Sequence, residues 1–322
     1  MDALIGEVRP EQVAGNEGRD RDAIQEEIML LGQPTLGRYL DYMTETVIGG
    51  ASLQRNVLVD EWRAANDLYY DLETSEAGLA DHVEILDLPA PLKPLVSAIR
   101  AESSYRRAFD MLPTRFAMVQ LDRVVASQRR VNLSHAKRLR AHLGASPSLE
   151  QLFRFSLPLD RPDVRVGMHP SGKNRFTLWS ESSDFRFQEA VLFRPEQIAE
   201  HAAKGVVSGV VGLMVGFGSN FLCAAQSGSR LLLVNGHHRA YALLEQGITH
   251  APCIIETVTR LDELALVADS DVLEAPAFYF KSPRPPLLKD FLDPRIRKVV
   301  SVPRKVHMID VSFKIREYSV SD

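Results

Sequence analysis

Apolar residues recur at every third or fourth position through the first third of the chain, with charged and polar residues between them. This spacing is typical of amphipathic helices, and it is found in residues 22–31, 35–48, 57–72 and 94–112. The proline-rich stretch 87–94 separates the last of these helices from the others. The pattern predicts an all-helical N-terminal domain over residues 22–112, and residues 1–21 are predicted to be a loose N-terminus.

After Pro113 the pattern changes to shorter segments of mixed type. Residues 133–144 are predicted to form a short helix, capped by Ser134 and ended by Gly144. Residues 161–194 alternate as an antiparallel hairpin does, a helix is predicted at 194–205, and the glycine-rich segment 205–218 is predicted to be a buried turn or helix. Further strands are predicted at 115–125, 221–226, 231–235, 251–258 and 308–318.

The segment LLLVNGHHRAYALLEQG, residues 231–247, combines an apolar strand, a polar turn and a helix that Gly247 ends. A turn from a strand into a helix directs free backbone N–H groups and the positive end of the helix dipole at one spot, which suits a phosphate. His237, His238 and Arg239 add donors there, and Gly236 permits close backbone approach. The structural alternative is that Asn-Gly makes a tight turn and that one histidine caps the helix or packs in the core.

The net charge, the apolar segments and the cysteines of the chain limit the classes of binding partner. The 322 residues carry a formal net charge of −4, which gives no overall field to hold DNA or an anionic membrane. The N-terminal residues lack the basic region and apolar core of a signal peptide, so none is expected, and segment 205–218 is shorter than the ~20 residues of a membrane span. Cys223 and Cys253 have apolar neighbours, so both are predicted to be core residues of a cytoplasmic protein.

Two segments together resemble the ParB/sulfiredoxin-like superfamily. The order strand, GHHR, helix, glycine, strand in residues 231–255 resembles the signature of that superfamily, and MVQLDRVVASQRRVN, residues 118–132, resembles the start of its domain. The resemblance covers about residues 114–260. It implies an α+β fold with a nucleotide-binding domain over residues 113–262, an insertion at about 145–195, and a proline-rich, basic C-terminal extension, short and partly β or irregular, over 263–322.

The resemblance also implies a site. The GHHR turn is closest to that of the free serine kinases, so the implied ligand is ATP or CTP with Mg²⁺, and the implied reaction is phosphoryl transfer to a small hydroxyl substrate or nucleotide hydrolysis. His237 is the implied catalytic residue, and the metal ligands are not identified. The implied nucleotide- and phosphate-binding residues are Asn235, Gly236, His238, Arg239, Gln128, Arg129 and Arg130.

The sequence departs from each relative at one point. His237 stands where sulfiredoxin has its cysteine, so sulfinic acid repair is not expected. No helix-turn-helix pattern follows Arg260, so nucleic acid is not the favoured partner. No carboxylate stands at 127–130, where the kinases have a catalytic glutamate, and Asp122 or Glu189 is the candidate replacement.

Two alternatives to a nucleotide-dependent enzyme remain. One is a non-catalytic nucleotide-sensing or DNA-associated module that recruits a partner through its helical domain and the basic segment 295–305. The other is an enzyme that acts on a small phosphorylated metabolite without a nucleotide.

Overall fold

A computed structural model describes residues 24–33, 35–159, 164, 166–182, 184–198 and 205–319. The predicted loose N-terminus, residues 1–21, lies outside this described part. The strands are β1 (Ile24–Leu30), β2 (Ile85–Leu86), β3 (Thr114–Gln120), β4 (Val125–Ala126), β5 (Arg130–Asn132), β6 (Val166–Gly172), β7 (Arg175–Ser180), β8 (Phe185–Phe193), β9 (Val210–Phe217), β10 (Cys223–Ser227), β11 (Arg230–Asn235), β12 (His250–Thr257), β13 (Arg297–Pro303) and β14 (His307–Ser312). The α-helices are α1 (Leu36–Glu45), α2 (Arg55–Ser75), α3 (Lys93–Ala101), α4 (Ser103–Ala108), α5 (Leu133–Leu143), α6 (Leu149–Ser156), α7 (His237–Glu245), α8 (Leu261–Leu264), α9 (Ser270–Glu274) and α10 (Pro276–Phe280).

The fold is mixed α/β, and the predicted all-helical N-terminal domain is wrong. The first described element is β1, which pairs antiparallel with β13 on one side and with β5 on the other. Its residues from Ile28 to Leu30 are buried, and Leu31 beyond its end is buried as well. The spacing of Ile24 and Ile28 satisfies a helical period, but pairing with two distant strands decides the conformation.

The larger of two compact units contains the described residues of 20–160 and 219–304. Its main sheet has the strand order β2-β3-β12-β10-β11-β4, in which β10 runs parallel to β12 and β11 runs parallel to β4. Helix α7 returns the chain from β11 to β12 and packs against α5. The predicted hairpin of β10 and β11 is confirmed, as is the strand at β12.

Several predicted helices are present. The stretches at 35–48 and 57–72 form α1 and α2, and one face of α2 buries Leu58, Ala65 and Tyr69. Helix α5 ends at Gly144 as predicted, but its N-cap is Asn132, whose side chain accepts from the backbone N–H of His135. Ser134, the predicted cap, instead accepts from the backbone N–H of Glu26.

Both cysteines lie in the core of the larger unit. Cys223 and Cys253 are free thiols with at most 2% of their surface exposed. Burial raises the pKa of both thiols, so neither is an activated nucleophile. The Cys223 thiol lies 3.1 Å from Glu256 Oε2 and donates to it.

The smaller unit contains the described residues of 161–218 and 305–322. The predicted hairpin is present as β6 and β7, and β14 pairs with β7 on its other side. Most of the glycine-rich segment 205–218 is neither a turn nor a helix but strand β9, which pairs with β8. Its predicted burial is also wrong, since Val211 is 67% exposed. A 3₁₀ turn occupies Pro195–Ile198, and 199–204 of the predicted helix lie outside the described residues.

The predicted C-terminal extension supplies β13 to the sheet of β1 and β5. Among the helices that the structure describes, none combines the length and apolarity that a bilayer crossing requires.

Candidate functional site

The sheet of the larger unit brings two distant loops together. Strands β4 and β11 are parallel neighbours, with Leu232 beside Val125. Since the carboxyl ends of parallel strands meet at the same edge of a sheet, the loop after β4 lies beside the turn after β11. We refer to these segments as the 127–130 loop and the 235–239 turn.

Gly236 begins helix α7 in a conformation that favours glycine. Its φ is +93°, and a Cβ built on it would lie 2.6 Å from Leu222 Cδ1. No side chain among the described residues caps the helix, and the first helical bond is donated by Ala240 to the Gly236 carbonyl. The first-turn N–H groups of α7 therefore have no side-chain cap among the described residues, and an anion bound there stays a prediction.

His237 joins the turn to the loop. The residue is 2% exposed, and its Nε2 lies 3.2 Å from Ser127 Oγ and 3.3 Å from the backbone nitrogen of Gln128. Because a backbone N–H can only donate, Nε2 is the acceptor and the neutral ring carries its proton on Nδ1. Nδ1 is buried and has no hydrogen-bond partner in the described part of the chain. The site thus holds a buried donor that lacks an acceptor.

All the imidazoles at this site are kept neutral. Burial, and then the neighbouring His238, lowers the pKa of His237 to about 3. Burial, and then His135 and Arg239, lowers the pKa of His238 to about 3 as well. His238 packs edge-on against His135 of α5, with ring centroids 5.1 Å apart. A proton on His238 or His135 would add charge near the Arg239 guanidinium.

Arg239 is buried and holds the chain around the turn. Its Nη1 donates to the carbonyl oxygens of Ser156 at 2.9 Å and of Asn220 at 2.5 Å, and its Nη2 donates to Asn220 Oδ1. Asn235 donates to the carbonyl oxygen of Ser219 in the same segment. These contacts fix the segment before β10 against the 235–239 turn, and a contact from Arg239 to phosphate stays a prediction.

The side chains of the 127–130 loop point to different neighbours. Gln128 is exposed, and only its backbone N–H is bonded to His237. Arg129 donates from Nη1 to the carbonyl oxygen of Gln33 at 3.0 Å. Arg130 lies over the ring of Tyr42, with 4.5 Å from Cζ to the ring centroid. The structure therefore brings the backbone of the loop to the turn, and its two arginine side chains have partners elsewhere.

Metal ligands are not found at the site. Within the described ranges, no group of three or more His, Cys, Asp or Glu side chains could hold a metal ion. Of the candidate carboxylates, Asp122 lies in the 3₁₀ turn Leu121–Arg123, and Glu189 lies on β8 of the smaller unit. A separate groove of about 570 Å³ lies between residues 91–95 and 148–150 and contains none of the predicted site residues.

Sequence reasoning missed three residues of this site: Ser127, His135 and Ser156. Ser156 contributes a carbonyl oxygen, which leaves no signal in the sequence. Ser127 could have been found, because it directly follows a short apolar strand, as Gly236 follows β11. What was missing was the knowledge that these two strands are parallel neighbours.

We expect the free energy of unfolding to fall between about pH 7 and pH 5, with His237 accounting for about 2 kcal/mol of the fall. The pKa of His237 in the folded chain, about 3, is below the ~6.5 of an unfolded histidine, so the unfolded chain binds the extra proton. The stabilisation is complete above pH ~6.5 and is lost as the pH falls toward 3. Urea unfolding of wild type and His237→Gln at both pH values measures it.

The matched control for this prediction is His142→Gln, which removes an exposed histidine of α5. Its loss of stability on acidification should equal that of the wild type. The His237→Gln variant should lose about 2 kcal/mol less than the wild type over the same interval. Equal losses in all three proteins would contradict a buried, neutral His237.

Comparison with known proteins leaves the family of the chain open. No family model matches it, and neither a curated protein nor a solved structure does. The resemblance of residues 231–255 to the ParB/sulfiredoxin-like superfamily therefore stays a prediction, based on the residues of the 235–239 turn and of the 127–130 loop.

Proposed function

We propose that the chain binds the phosphate groups of a nucleotide at the 235–239 turn. The observation that supports this most is the Nδ1–H of His237, a buried donor without an acceptor beside the uncapped first turn of α7. An unsatisfied buried donor costs about 1–3 kcal/mol, and a phosphate oxygen removes that cost. The helix dipole and the adjacent Arg239 guanidinium add positive potential for the same anion.

The nucleotide and the reaction come from the resemblance. Its GHHR turn implies ATP or CTP, and we propose transfer of a phosphoryl group to a small hydroxyl compound. Such transfer depends on positioning and on positive charge around the phosphates. The uncapped first turn and the neutral His237 beside the Ser127 hydroxyl suit that task.

Magnesium would enter with the nucleotide as part of the substrate. The described residues contain no ligand set for a resident ion. None of the proposed steps uses a metal held by the protein.

Thermal unfolding with ATP, CTP, ADP or pyrophosphate, each with and without Mg²⁺, tests the binding site. We expect one nucleotide at about 100 times its Kd to stabilise the folded chain by ~2.7 kcal/mol, which raises the melting temperature by about 5–10 °C. His237→Gln should remove most of that rise. The glutamine keeps an acceptor for the Gln128 N–H but lacks the donor at the position of Nδ1.

Two further variants sharpen the result. His237→Asn keeps a donor near the position of Nδ1 and should retain part of the rise. His142→Gln should retain all of it. A rise of equal size in His237→Gln, or no rise with any of the four ligands, would reject the site. Release of ADP or CDP that depends on an added small alcohol tests the transfer reaction separately.

A further inference from the structure

The ribbon formed by β8 and β9 has one face made only of apolar residues. Its antiparallel register pairs Leu192 with Val211, Ala190 with Leu213, Phe187 with Val215 and Phe185 with Phe217, which places all eight side chains on one face. Side chains alternate along a strand, so this arrangement needs a shift of phase within β8. The shift is supplied by the β-bulge between Phe187 and Glu189. We call these eight residues the apolar ribbon face.

Most of the apolar ribbon face is exposed, although Phe185 at one end of it is buried. Leu192 is 75% exposed, Val211 67% and Phe187 50%. The rings of Phe185 and Phe217 pack together at one end, with centroids 5.7 Å apart. The opposite face carries Arg186, Gln188 and Glu189 together with the apolar Val191, Phe193, Val210 and Met214. The apolar ribbon face is the one without a charged or hydrogen-bonding side chain, and an exposed apolar stripe of this kind is the pattern of an interaction surface.

We propose that this face is where a second copy of the chain packs, so that the protein is a homodimer. A two-stranded ribbon is only marginally stable in water unless its apolar face is covered. The face carries no charge or hydrogen-bonding side chain, so its partner must be equally apolar, and an identical ribbon satisfies that condition. The net charge of −4 argues against an anionic membrane as the partner.

Size and shape agree with a two-fold dimer. Nine residues of β8 at ~3.3 Å each give a face about 30 Å long. Packing two such faces buries on the order of 1,000 Å², the least that a specific interface needs. A two-fold axis would place the aliphatic end, Leu192 and Val211, of each copy over the aromatic end, Phe185 and Phe217, of the other. The contact is then the same in both directions.

Neighbouring residues of β9 provide the test. Leu213 lies on the apolar ribbon face and is 39% exposed, whereas Met214 lies on the opposite face and is 45% exposed. In sedimentation velocity on the full chain at about 10–100 µM, we expect a wild-type dimer and at least a tenfold weaker dimer for Leu213→Glu. Met214→Glu should dimerise as the wild type does, and Leu192→Glu should behave as Leu213→Glu does. Circular dichroism of each variant checks that the fold is retained.

Two outcomes would overturn the proposal. One is a wild type that is monomeric throughout this concentration range. In that case, flotation of the wild type but not of Leu213→Glu with zwitterionic phosphatidylcholine vesicles would assign the face to lipid. The other is Leu213→Glu and Leu192→Glu both dimerising as strongly as the wild type, since the dimer would then use another surface. Nucleotide binding plays no part in this experiment.

Discussion

Replacing Arg284 by Met is expected to lower the free energy of unfolding by about 3–5 kcal/mol. Arg284 is 1% exposed, and its guanidinium forms two hydrogen bonds to the Asp290 carboxylate, at 2.9 and 2.6 Å. Its Nε also donates to Glu76, just beyond the end of α2, at 2.9 Å. Without the guanidinium, Asp290 keeps a buried negative charge whose hydrogen bonds from Leu287 N–H and Tyr69 replace only part of the lost interaction.

The control for Arg284 lies on the same stretch of chain. Arg295 pairs with Asp293, but its side chain is 65% exposed, so Arg295→Met should lower the free energy of unfolding far less than Arg284→Met does. The double variant Arg284→Met with Asp290→Leu removes both buried charges and should recover most of the lost stability. Urea unfolding of the four proteins measures all these differences. If Arg284→Met costs no more than Arg295→Met, the buried Arg284–Asp290 pair does not stabilise the folded chain.

The sequence predicts individual helices and strands of this fold better than it predicts which strands pair with each other. Helix α2, the hairpin of β10 and β11, and the strand-to-helix turn before α7 all follow from local spacing, because each buries one face of a short segment. The sequence predicts a helix at β1 because the apolar residues there also satisfy a helical period. Its strand conformation depends on β13, which follows it by more than two hundred residues. Information of that range is absent from a local pattern.

At the candidate site, too, local features can be predicted from the sequence and long-range contacts cannot. The uncapped turn at Gly236 and the histidine after it are visible in the sequence, since strand, glycine and helix are adjacent. The pairing of His237 with Gln128 joins residues 109 positions apart, and it arises only because β4 and β11 are parallel neighbours. The bonds from Arg239 to the carbonyl oxygens of Ser156 and Asn220 were equally hidden, because every residue has a carbonyl.

Replacing Gly236 by Ala is expected to lower the free energy of unfolding by about 2–4 kcal/mol and to abolish the nucleotide-dependent rise in melting temperature. A side chain at φ +93° costs about 1–2 kcal/mol, and the added Cβ must also displace Leu222. The contacts involved are 2.6 Å to Leu222 Cδ1 and 3.1 Å to Leu222 Cα, so the backbone itself must move. That movement shifts the first-turn N–H groups on which the proposed phosphate site depends.

Gly247, at the other end of α7, is the matched control. Its φ is +78°, but a Cβ built there meets nothing within 4 Å, so Gly247→Ala bears the conformational cost alone. We expect it to lose about 1 kcal/mol and to keep the full response to nucleotide. Equal losses in the two variants would mean that the contact with Leu222 adds nothing to the requirement for glycine at 236. If Gly236→Ala lost stability as expected but kept the nucleotide response, the contact would be structural, and the phosphate would bind away from the first turn of α7.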